Sequence, residues 1–132
     1  MLLIGLPSFS WGQPEATVYK APNCGCCKGY VRYLEENGYH VKAIDTADLD
    51  AVKRQYGVSS ELAACHTSII DGYVVEGHVP VVIIEKLLGE RPDVRGISLP
   101  GMPQGSPGMT GEKAVPFAIY TLEGTPEVYT TQ

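Results

Sequence analysis

No cluster of lysines or arginines runs anywhere in this chain of 132 residues, and its net charge is −5. That absence argues against a nucleic-acid partner and against binding to anionic membrane surfaces. No apolar run is long enough to cross a bilayer. The most apolar stretch, residues 1–12 (MLLIGLPSFSWG), is too short to span. Internal repeats and a low-complexity tail are also missing, so the length and the 44% hydrophobic content predict one globular domain. Cysteine is scarce, but three of the four cysteines fall within four residues.

Residues 1–12 also lack the basic start of a complete signal peptide. Small residues at Ser10 and Gly12 suit the −3 and −1 positions of a signal-peptidase site. The stretch therefore reads as the remnant of a signal peptide whose start lies upstream. The competing reading is an apolar arm packed on the domain. On the first reading, residues 13–132 form a single exported domain in a compartment where disulfides survive.

Short periodic runs predict the elements of an α/β fold. Residues 16–20 form a β-rich run that Pro22 breaks, and Asn23 is suited to cap the helix that follows. Cys27, Tyr30, Val31 and Leu34 have helical spacing, and Gly38 is placed to end that helix. Residues 39–45 alternate as a strand does. A short helix is predicted over 48–56, then a helical turn at 59–64. Asp71-Gly72 joins strands 67–71 and 73–76 as a hairpin. Pro80 opens a helix over 81–90. The order is thioredoxin-like, a βαβ unit followed by ββα. Residues 96–116 hold five glycines and four prolines; they predict a long functional loop. A terminal β-hairpin follows, over residues 117–122 and 127–131.

The strongest chemical signal is Cys24-Gly25-Cys26-Cys27, at the start of a predicted helix. The unpaired N–H groups and the dipole there favour thiolate. Cys24 and Cys27 share one helix face, while Cys26 points elsewhere. The competing reading is a Cys24–Cys27 disulfide with Cys26 buried as a small hydrophobe. Cys65-His66 is the second signal. In a thioredoxin-like layout its segment passes beside the first helix start. A Cys26–Cys65 structural disulfide is the alternative there. His78 is either a further ligand or a plain loop histidine, and His40 is expected to face solvent. Met102 and Met109 stand in a loop nearly empty of other large apolar residues. Either they donate thioethers to a soft metal, or they plug the domain surface.

Sulfur donors with imidazole nearby select Cu(I), Zn or iron–sulfur. C-x-C-C followed by one distant Cys-His does not match the paired spacing of structural zinc sites. Iron–sulfur assembly needs a reducing route that export disfavours. Copper(I) fits best, and a cluster with bridging thiolates uses three crowded cysteines better than a single-ion site does.

These residues also form a recognisable set. Val18-Tyr-Lys-Ala-Pro-Asn-Cys24-Gly-Cys26-Cys27-Lys-Gly, Cys65-His66-Thr67, Gly72-Tyr-Val-Val-Glu-Gly-His78-Val-Pro80 and Pro100-Gly-Met102-Pro-Gln-Gly-Ser-Pro-Gly-Met109 resemble the CopG family of bacterial copper-resistance proteins. The resemblance covers residues 16–131. It implies a periplasmic, thioredoxin-like protein that holds copper through Cys24, Cys26, Cys27 and Cys65, as a cysteine-bridged cluster with a redox role. His66, His78, Met102 and Met109 carry over as candidate ligands. Copper ions and other envelope copper-handling proteins are the implied partners. Thioredoxins place a cis-proline where this chain has Cys65-His66-Thr67. That departure weakens a general disulfide-reductase role, although Cys24 and Cys27 would be its catalytic pair, with Cys26 or Cys65 resolving. A disulfide-stapled binding module is the third, non-catalytic reading.

Overall fold

A computed structural model describes residues 14–132, so the predicted signal remnant lies outside the described residues. Ten elements follow in order: β1 (Glu15–Lys20), α1 (Gly25–Glu36), β2 (His40–Asp45), α2 (Leu49–Gln55), β3 (His66–Ile70), β4 (Tyr73–Glu76), α3 (Val81–Glu90), β5 (Gly96–Ser98), β6 (Ala118–Thr121) and β7 (Val128–Thr131). The strands form one mixed sheet in the order β2-β1-β3-β4-β5-β6-β7. β1 and β2 are parallel, and β3 runs antiparallel to both of its neighbours, β1 and β4. The βαβ unit and the ββα unit predicted from the sequence are both present. β5 pairs parallel with β4, and β6 and β7 complete the edge as the expected hairpin.

Period-2 alternation divides the core between the two faces of the sheet. Ile70, Tyr73, Val75 and Ile119 join Tyr30 and Leu34 of α1 and Ile84 and Leu87 of α3 on one face. On the other, Val74 packs with Val58, Leu62 and Leu122, and Ile69 and Tyr120 lean on them. Leu34 is fully buried, so truncation to alanine is expected to cost about 2–5 kcal/mol.

Two expectations need correction. Asn23 does not cap α1. The chain turns at Pro22-Asn23, where the Cys24 N–H donates to Ala21 O at 3.3 Å. Cys24, with extended backbone, is the capping residue, and its sulfur accepts from the Cys27 N–H. The cap is thus a cysteine of the cluster itself. The predicted loop over 96–116 starts too early, because residues 96–98 are strand β5. A Cβ at Gly96 would lie 2.0 Å from Val74 O, so only glycine lets β5 approach β4 this closely. Too short to show alternation, β5 leaves no periodic signal in the sequence. The turn expected at 59–64 is a single hydrogen-bonded turn, Leu62 N–H to Ser59 O at 3.1 Å.

Candidate metal centre

The loop from β1 delivers Cys24 and Cys26 to the start of α1. The irregular segment before β3 delivers Cys65 beside them. The ligand atoms of Cys24, Cys26, Cys27 and Cys65 all lie within 4.8 Å of one another. So do those of Cys65, His66 and His78, which makes Cys65 the member common to both groups. Its sulfur is 3.5 Å from that of Cys26, 3.3 Å from His66 Nδ1 and 2.9 Å from His78 Nε2. Cys26 in turn is 3.3 Å from the Cys24 sulfur. Cys24 and Cys27 are joined as a disulfide, with Cys26 and Cys65 free.

Backbone carbonyls fix both imidazoles. His66 Nε2 is 3.0 Å from Gly77 O, and His78 Nδ1 is 2.6 Å from Pro107 O. A carbonyl accepts only, so each of these nitrogens carries the proton. The lone pairs of the opposite nitrogens, His66 Nδ1 and His78 Nε2, therefore both face the Cys65 sulfur. This is the arrangement in which a metal-ligating histidine donates its other N–H to an outer partner. The rings meet edge to face at 4.6 Å, and Tyr30 stacks on His66 at the same distance. The Tyr30 hydroxyl donates to Val79 O at 2.8 Å. Tyr30 was legible in the sequence only as a helix-face apolar residue.

Burial dominates the protonation behaviour. It pushes the Cys65 thiol up to about 12, assisted by its hydrogen bond to Cys26. Binding of a cation at Cys65 must therefore release that proton. Burial also lowers His66 to about 3, with His78 adding to the effect, and lowers His78 itself. A group whose folded pKa is depressed in this way stays neutral when folded and takes up a proton on unfolding. His66 thus contributes stability that is complete above about pH 6.5 and is lost as pH falls toward 3. Urea titrations of the metal-free protein between pH 6.5 and 5 should show this. The parent is expected to lose about 1.4 kcal/mol per pH unit more than His66→Gln. Parallel slopes for the two proteins would show that His66 is not buried neutral.

The two methionines separate. Met102, 54% exposed, brings its sulfur to 3.9 Å from that of Cys26 at the mouth of the cluster. Met109 is half-buried and, among the described residues, makes no hydrogen-bond-range contact with the cysteines or histidines; its N–H donates to Ser106 O. Of the two, only the Met102 sulfur lies within 4 Å of a cysteine sulfur among the contacts of the described residues. Gly108 is what seats that loop. A Cβ there would lie 2.7 Å from Tyr30 N and 2.8 Å from Cys26 O, at a φ of +85°. His40 is exposed on β2, as expected.

Fold and donor set together define a mixed α/β protein with a preassembled Cys/His cluster able to hold a metal ion. A family model described as a protein of unknown function, DUF411, matches residues 62–109. No curated protein sequence matches the chain. Two solved structures do, both named copper resistance protein copG. Form 2 is 42% identical with a TM-score of 0.83, covering 90% of this chain and 98% of its own. Form 1 is 41% identical with a TM-score of 0.81, covering 89% and 96%. The chain belongs to the CopG family of copper-resistance proteins. No helix among the described residues is long and apolar enough to cross a membrane.

Proposed function

We propose that the protein holds Cu(I) at the cluster centred on Cys65, in the periplasm, as part of copper resistance. The observation that carries this is the convergence of four cysteine sulfurs within 4.8 Å of one another, with two tautomerically fixed imidazoles in the same range of the shared Cys65. Soft thiolates with imidazole and a neutral thioether suit Cu(I) over hard cations. Crowding of sulfurs at 3.3 and 3.5 Å supports thiolates that bridge more than one ion. The apolar residues 1–12 and the family relationship support export. Titration of the reduced protein with Cu(I) against bicinchoninate tests the reading. Several equivalents bound tightly support it, and binding no tighter than to the chelator overturns it.

The methionines give a sharper test. Met102→Leu keeps volume and removes the donor near Cys26. It is expected to lower Cu(I) affinity about tenfold, within the range for altered support around a metal site, while Met109→Leu leaves it unchanged. Equal affinity in the Met102 variant removes the thioether from the ligand set.

A second reading is favoured by one observation. The Cys24–Cys27 disulfide lies at a helix start with the free Cys26 sulfur 3.3 Å from Cys24. That geometry supports thiol–disulfide exchange. Rapid insulin reduction combined with weak copper binding would favour it over the first.

A further inference from the structure

Behind the cluster, on the other face of the sheet end, lies a buried ion pair that neither metal binding nor core packing accounts for. Lys53 of α2 and Glu76 of β4 are both buried, and the Lys53 ammonium meets Glu76 Oε2. The same Oε2 accepts the Ala64 N–H at 2.8 Å. Oε1 accepts the Thr67 hydroxyl at 2.6 Å, and Lys53 also reaches that hydroxyl at 3.1 Å. Ala64 and Thr67 bracket Cys65-His66. One carboxylate therefore grips the chain immediately before and after the two residues that anchor the cluster. Two residues beyond Glu76 lies His78, and the Gly77 carbonyl between them holds His66.

The energetics argue that this pair serves position rather than stability. Removing two charges from water costs several kcal/mol per ion, and apolar residues of similar volume often do as well or better. What an apolar pair lacks is direction. Ala63–Cys65 belongs to no helix or strand, and its neighbours in the sheet do not set its path beyond a single bridge from Ala64 to Gly101. A charge-assisted hydrogen bond to Ala64 and another to Thr67 do set it. Period-2 alternation then turns Thr67 toward the ion pair and His66 to the opposite face, where Tyr30 stacks on it.

We infer that Glu76, held by Lys53, is the positioning residue that aims the Cys65 sulfur at Cys26 and His78. This deepens the proposed copper function and rests on it for its purpose, though not for its test. In the metal-free protein with the Cys24–Cys27 disulfide intact, only Cys26 and Cys65 are free. Dibromobimane bridges two thiols only when they are close, so it reads their juxtaposition without copper. Thr67→Val and Glu76→Gln are expected to cut the Cys26–Cys65 bridge severalfold, measured by peptide mass mapping. Thr67→Ser and Lys53→Arg, which keep the donors, are expected to bridge like the parent. Near-UV circular dichroism confirms a native fold in each variant. If Glu76→Gln does not fold, Thr67→Val alone decides, since it removes one hydroxyl and keeps the volume. Cu(I) affinity in the folded variants should fall about tenfold or more.

Parent-like bridging in the folded Thr67→Val and Glu76→Gln proteins overturns the inference, whatever copper does. Reduced bridging in a protein whose parent proves unable to bind Cu(I) supports the positioning role and refutes the copper reading instead.

Discussion

Cys65→Ser is expected to weaken Cu(I) binding by more than about 100-fold, the upper end of what altered outer-shell support costs a metal site. The reason is topological. Cys65 is the member shared by the sulfur group and the imidazole group. Without it, Cys26 loses its neighbour at 3.5 Å, and both histidine lone pairs face a weak hydroxyl donor. Serine differs by one atom at a half-buried position, so the fold should persist. Competition with bicinchoninate gives the affinity, and a thermal melt gives the control. A Cys65→Ser protein that binds like the parent would move the centre of the site onto the C-x-C-C motif alone.

The second large effect concerns oxidation. Of the four cysteine sulfurs, the Cys24–Cys27 disulfide withdraws two, leaving Cys26 and Cys65 as thiols. Two-electron reduction by an added phosphine restores both as thiolates. Cu(I) bound per chain should therefore fall by about half or more in the disulfide form, in proportion to the bridging donors lost. Stoichiometry is measured on the same preparation before and after reduction, with free thiols counted in parallel. Equal stoichiometry in both forms would mean that Cys24 and Cys27 hold no metal. Their chemistry would then be thiol exchange.

Much of the cluster was legible in the sequence because its determinants are local. Three cysteines in one turn, straight after a strand and before helical spacing, define a helix start without tertiary information. Cys65 was placed beside them by the thioredoxin-like element order, in which the strand that follows it lies next to β1, as β3 does here. His66 and His78 followed from their places at the start of β3 and just after β4. What escaped is non-local or too short to be periodic. Glu76 sits among valines in a strand, a visible anomaly, yet its partner Lys53 lies on the helix α2 and nothing in the spacing joins them. Pro107 acts through its carbonyl, which every residue has. Met102 and Met109 look equivalent in the sequence, and only the tertiary contact of the Met102 sulfur with Cys26 distinguishes them. The cap assigned to Asn23 belongs to Cys24, because preferences rank residue types and the chain decides where extended backbone begins.

The glycine- and proline-rich loop is pinned at both ends. Leu99 N–H bonds Glu76 O at one end, and Phe117 exchanges backbone hydrogen bonds with Gln132 at the other. Those ends emerge from β5 and β6, adjacent strands of the same sheet. The conformational entropy of closing this loop is consequently lost when the sheet forms, and its dependence on length is shallow in any case. Little is left to be ordered when an ion arrives, so ligand capture is a matter of approach and proton release at Cys65 rather than of chain rearrangement. A protein built this way should exchange its cargo quickly for one that binds it tightly, because entry and exit need no refolding of the strap that carries Met102 and Pro107.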